Sequence, residues 1–242
     1  MLDAPYLDAG IDKFIWMLPR RYLDRPLWDE VLGLATRAGP VGQAQRLPVP
    51  QAARTTRQIK GKESMHPQKW AMLWINVIGG IAVLGSYAHG LRTHPGAGGA
   101  LWGGVPPAIR PLYVASMFAA AAGYLAFTYF LLLRLDPAQA IIANRLRFGT
   151  FNALYAGILI PSALWMPLTF AMLERPGSAL WGAIRLVLAV VGLASAAMIG
   201  ALLALCPRQP AWAYGLAVAG SVVFGFHTVV LDALIWPALF PV

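Results

Sequence analysis

From Trp70 to the C-terminus the chain is a succession of apolar runs, each of bilayer-crossing length, separated by short loops that carry nearly all the local charge. A hydrocarbon core ~30 Å thick takes ~20 residues of helix, and lipid offers no partner to an unpaired backbone N–H or C=O. Only helices and closed barrels meet that condition, and barrel strands would be shorter and alternating. The runs therefore predict an all-α integral membrane protein, a bundle of five transmembrane helices at about residues 70–91, 111–133, 148–173, 180–206 and 211–240. Hydrophobic residues make up 58% of the chain and charged ones 12%, well below the ~25% of a soluble domain. Pro167 predicts a bend in the third helix rather than its end, since lipid leaves the backbone no better alternative.

Residues 1–64 are a different material, with Asp3, Asp8, Asp12, Asp24, Asp29 and Glu30 mixed among Arg and Pro and a polar stretch from Arg37 to Ser64. They read as a polar leader ahead of a transmembrane domain at 65–242. The leader is partly disordered or forms short amphipathic turns at Ile11 to Leu18 and Leu27 to Leu34, interrupted by Pro19 and Pro26. No signal peptide is visible. Lys62 and Glu63 imply purine-rich codons before Met65, resembling a bacterial ribosome-binding site, so a start at Met65 is an alternative.

Basic residues tend to stay on the cytoplasmic side. Eleven of the 19 Lys and Arg precede Trp70. Arg134, Arg145, Arg147 and Arg208 fall in loops on that same side, against Arg92, Arg110, Arg175 and Arg185 on the other. This predicts an inner-membrane protein with its N-terminus cytoplasmic and its C-terminus outside. Trp70 and Trp212 at inner ends, and Trp102, Trp181 and Trp236 at outer ones, suit an interfacial aromatic belt. The net charge of +9 flanks membrane spans, which points to anionic lipid heads and away from nucleic acid. A single cysteine, Cys206, excludes an internal disulfide and a cysteine-based metal cage, and reads as a small helix-end residue.

Asp136, Pro137, Arg145 and Arg147 give the loop at 134–149 the signature of a short surface helix. The loop at 92–109 is rich in Gly and Pro and is expected to be mobile or irregular, either a lid or a plain connector.

Inside the spans, helical spacing gathers polar and small residues into stripes that should face inward. These are Asn76, Gly80, Val83 and Tyr87 in the first helix; Tyr113, Ser116, Ala120, Tyr124 and Thr128 in the second; and Ser221, Gly225, Thr228 and Asp232 in the fifth. Gly192, Ala196 and Gly200 in the fourth give a close-approach spacing. Asp232 is the sharpest residue, because a carboxylate in hydrocarbon costs at least ~2.5 to 3.5 kcal/mol unless paired or wet. Arg110 is its nearest partner by depth, as a structural ion pair; a proton carrier or a ligand anchor are the alternatives. His227, five residues before Asp232, lies roughly 140° away on an α-helix and does not share its face. Haem ligation by His89 and His227 is disfavoured by their unequal depths, and no metal site or common catalytic motif is present.

Trp102 through Pro106 and Pro107 to Tyr113, before the second helix, and Tyr155 followed by Leu164, Trp165, Pro167 and Phe170 in the third, are similar to stretches of the TspO/MBR family, the tryptophan-rich sensory or translocator proteins. Five helices from residue 65 onward also match that family in size. The Lys-Pro-x-Trp-x-Pro-Pro stretch and the asparagine before the third-helix tryptophan are absent here, where Ser162 and Ala163 stand. The resemblance implies a cavity among the helices for a porphyrin, a sterol or a similar hydrophobic ligand, with Trp165, Tyr113 and Tyr124 as aromatic walls. With Thr228, Asp232 and His227 these form the candidate ligand set, in a cavity lined by the second, third and fifth helices. The rival reading is a structural or assembly subunit of a larger membrane complex, or a homo-oligomer, whose apolar outer faces meet protein rather than lipid; an intramembrane enzyme using Asp232 is a third.

Overall fold

The computed structural model describes residues 65–241, so the leader and its start site lie outside the described residues. The chain is a membrane protein with five helices, among the described residues, long and apolar enough to cross a bilayer. Helix α1 spans Pro67–Thr93, with Pro67 at its first position and His66 Nδ1 accepting the Gln68 N–H at 3.2 Å. Helix α2 covers Arg110–Tyr129 and continues as a π-helical turn at Phe130–Arg134. Helix α3 (Gly149–Glu174) runs through Pro161 and Pro167 without interruption, and α4 covers Ser178–Leu203. Helix α5 starts at Ala211–Gly225, widens into a π-helix at Phe226–Ile235 and closes with an α-turn at Trp236–Leu239.

The helices pack in a circuit: α1 on α3, α3 on α4, α4 on α5, and α5 on α2. A hydrogen bond from the Tyr124 hydroxyl to Asn76 Oδ1 joins α2 back to α1. At one end a core of Phe127, Phe130, Phe148, Phe151, Tyr155 and Leu202 is buried; at the other, Val105, Tyr113, Ile184, Leu231, Trp236 and Phe240 pack together. The outward faces are apolar, with Ile81, Leu84, Phe118, Leu125 and Leu193 each 66–74% exposed, as a lipid solvent allows. Small residues set the tightest crossing, where Gly123 of α2 and Gly220 of α5 meet backbone to backbone. In the α4 stripe only Gly192 packs against a neighbour, 3.3 Å from Ala233 Cβ by its side-chain position, while Ala196 and Gly200 face outward.

Two expectations about the connections are corrected. The loop at 134–149 is no helix: Ile141–Ile142 (β1) pairs with Leu146–Arg147 (β2), and β1 also takes Leu205–Cys206 (β3), giving the antiparallel order β2-β1-β3. Paired β-branched isoleucines favour the strand, and Ala143 and Asn144 turn the hairpin in left-handed conformation at φ 49° and 59°. Asp136 caps only a local turn, its Oδ1 accepting the Ala138 N–H at 3.0 Å. Cys206 accordingly sits in a strand, exposed, rather than at a helix end.

The loop at 92–109 is irregular, as its Gly and Pro content predicts, and part of it lies against the C-terminal turn. Its 3-10 turns at Ala97–Trp102 and Pro107–Ile109 hold Val105 1% exposed, and Gly103 and Gly104 lie against Phe240 and Leu239. Trp236 is not an interfacial residue. It is buried, and its indole N–H donates to the Leu101 carbonyl at 2.9 Å.

Candidate functional site

The second-helix stripe does point inward, and it meets the π-segment of α5. In that segment the Thr228 hydroxyl donates to the Phe224 carbonyl at 3.0 Å, the acceptor its own N–H would use in an α-helix. Such competition favours i−5 acceptors, and the Trp236 N–H duly donates to the Leu231 carbonyl. The same Leu231 carbonyl receives the Tyr113 hydroxyl at 3.3 Å from α2.

The wide turn changes which side chains are neighbours. Pairing i with i+5 stacks Asp232 over His227, and His227 Nε2 stands 3.5 Å from Asp232 Oδ2. The expectation that the two occupy different faces is thus overturned, because it assumed 3.6 residues per turn. His227 Nδ1 meets the Ser116 hydroxyl of α2 at 3.1 Å, giving a chain Ser116–His227–Asp232. The His227 side chain is 11% exposed and that of Asp232 34%. The phenols of Tyr87 and Tyr113 lie within electrostatic reach of that carboxylate.

Arg110 is not the partner of Asp232. Its Nε donates to the Val105 carbonyl at 3.1 Å and its guanidinium lies 5.6 Å over the Trp102 ring, both in the loop that leads into α2. An adjacent carbonyl and an aromatic face engage the guanidinium instead.

Trp165 of α3 lies between Tyr87 (6.0 Å) and Trp236 (5.6 Å) by ring centroids, and its buried indole N–H has no hydrogen-bond partner. Tyr113 and Ser116 of α2 face Leu231 and His227 of α5, and Trp165 reaches this end of the bundle through Trp236. Tyr124 does not join them: eleven residues from Tyr113, it lies about 16 Å down the helix. There it packs against Phe127, Tyr155 and Phe224, beside the Thr128–Tyr155 hydroxyl pair at 2.7 Å. Thr228 is buried and its hydroxyl is spent on its own helix. Ser116 and Tyr87 were visible as stripe members but not as site residues; Trp236 gave no signal, since a tryptophan near a helix end reads as an interfacial anchor.

Open space lies partly elsewhere. Recesses of about 420 Å³ and about 220 Å³ follow the seam between α1 and α3, and neither is walled by Tyr113, Tyr124, Trp165, His227 or Asp232. A side chain at Gly80, one turn beyond Asn76, would meet nothing within 4 Å. The seam ends at His94, which stacks on Phe170 at 4.1 Å and joins Glu174 at 2.9 Å. Its Nδ1 lies 3.0 Å from both the Gly90 carbonyl and the Thr93 hydroxyl, and its Nε2 lies 2.9 Å from Glu174. The hydrogen bond to Glu174 and then that to Gly90 raise its pKa above 6.5.

Among the described residues no group of three or more His, Cys, Asp or Glu is placed to hold a metal ion. His89 lines the α1–α3 recess while His227 belongs to the α2–α5 chain, so the two imidazoles serve different places. Comparison with protein-family models, curated proteins and solved structures finds no match to this chain.

Proposed function

We propose that this membrane protein binds or passes a hydrophobic small molecule, porphyrin-like or lipid-like, in the manner of the TspO/MBR proteins that its sequence resembles. The observation that carries the reading is the Ser116–His227–Asp232 chain, a polar array set among apolar spans with the Asp232 side chain a third exposed. An intramembrane acid is costly, and an array that holds one within a span supplies a polar anchor for an occupant. Tyr87 and Trp165 pair their rings, and Trp165 meets Trp236 of the same helix α5, which supplies aromatic faces at that end of the bundle. The basic-residue balance favours an inner-membrane orientation with the N-terminus cytoplasmic and the C-terminus outside.

The test is protoporphyrin titration of the full chain in detergent, followed by tryptophan fluorescence. Saturable quenching at micromolar ligand is expected, with the Trp165→Phe variant losing a large share of it. Asp232→Asn should weaken binding about tenfold, as loss of a hydrogen bond to a charged group does. Absence of saturable quenching in the unaltered chain refutes the reading. A second reading, a subunit of a larger membrane complex, draws on α1, which packs mainly on α3 and leaves Trp74, Ile78 and Ile81 facing out. Co-purification of other proteins in fixed stoichiometry favours it over the first.

A further inference from the structure

The two recesses on the α1–α3 seam follow one row of side chains on each helix. The larger is walled by Trp74, Ile78 and Ala82 of α1 and by Ala156, Ile160 and Ala163 of α3, and is apolar throughout. The smaller continues the same rows past Ser86, His89 and Thr93 of α1 and past Pro167, Phe170 and Glu174 of α3. Along α1 the distance from Trp74 to His89 is about 22 Å, the length of a long acyl chain lying parallel to the helix.

Charge distinguishes the two ends of the seam. Glu174 is 61% exposed by its side chain and uses Oε1 on His94, while Oε2 carries no hydrogen bond among the described residues. His94, itself a wall residue, holds Oε1 and leaves Oε2 as the open acceptor. The recess thus offers a carboxylate with a free oxygen for an amine.

We infer that the α1–α3 seam is a seat for one glycerophospholipid with a primary-amine headgroup, phosphatidylethanolamine, with an acyl chain along Ile78, Ala82 and Ala163 and its ammonium on Glu174. The site is separate from the Ser116–His227–Asp232 chain and does not depend on the function proposed for it. A choline headgroup carries no N–H to donate and a glycerol headgroup carries no charge to pair, so the seat discriminates by headgroup as well as by apolar fit.

The full chain is reconstituted in nanodiscs of equimolar phosphatidylethanolamine, phosphatidylcholine and phosphatidylglycerol, then released into mild detergent for native mass spectrometry. One retained phosphatidylethanolamine per chain is expected, favoured about fivefold over each competitor, the factor that a part-exposed ion pair supports. Glu174→Gln should erase that preference while leaving total lipid retention nearly unchanged. Ala82→Phe, which fills the apolar recess, should reduce retention of all three lipids. Equal retention of the three by the unaltered chain overturns the inference without need of any variant, as does a preference that survives Glu174→Gln. In either case the porphyrin titration stands independently.

Discussion

Replacing Gly220 by alanine probes the crossing of α2 and α5, where backbone meets backbone. A Cβ at Gly220 would stand 2.6 Å from the Gly123 carbonyl oxygen and 3.0 Å from Gly123 Cα. A comfortable carbon–oxygen contact is about 3.3 Å, so the helices must separate by about 0.7 Å, and no rotamer change can absorb it. A radial gap of that size forfeits roughly a quarter to a half of the dispersion energy of each contact along the interface. With the usual overpacking cost, Gly220→Ala should destabilise the fold by about 2–3 kcal/mol. Gly80→Ala is the matched control: the same chemical change into open space should alter stability by less than about 0.5 kcal/mol. Reversible unfolding of the full chain in mixed micelles, followed by circular dichroism against the mole fraction of sodium dodecyl sulfate, measures both. If the two variants unfold within about 0.5 kcal/mol of each other, the close-packed crossing is wrong.

The His94–Glu174 latch should depend on pH in a definite direction. Because the folded pKa of His94 is raised above 6.5, its contribution is fully present below that value and fades as pH climbs through the higher folded one. A double-mutant cycle with His94→Ala and Glu174→Gln should show coupling at pH 6 that has vanished at pH 9; equal coupling at both would contradict the assignment. Asp232→Leu should raise apparent membrane-insertion stability by up to about 3 kcal/mol while abolishing porphyrin quenching, and a variant that binds normally would remove Asp232 from the site. Ala143→Gly should stabilise the hairpin by about 1 kcal/mol, since φ of 49° suits glycine and strains alanine; an unchanged or lowered unfolding midpoint would speak against that turn.

Hydropathy made the five spans readable because lipid imposes length and apolarity on every one of them, and the observed helices follow the predicted runs within a few residues. The stripe Tyr113, Ser116, Tyr124 and Thr128 was readable for a related reason: a polar group in a span turns toward a partner, and each of these has one. What escaped was anything that breaks α-helical phase. Nothing in Phe226–Ile235 announces i+5 pairing, so His227 and Asp232 were set on different faces and Arg110 was offered as the counter-ion. Loop chemistry failed similarly. Asp136 and Pro137 carry a helix-start pattern, but the strand partner at Leu205–Cys206 lies some 60 residues away and exerts no local signal.

The small sheet has a mechanical meaning beyond its size. Strand β1 is bonded on both edges, so the α2–α3 and α4–α5 connections are laced together and their backbone groups are largely satisfied at the membrane surface. Four of the five spans are thereby anchored to a common plate. Helix α1 enters beside that plate without a strand of its own, tethered by Asn152 Nδ2 to Gln68 Oε1 at 2.7 Å and by Asn76 to Tyr124. Among the described spans, the first helix is thus the one held by packing and side chains alone, pinned at Gln68 beside the plate and at His94 by Glu174.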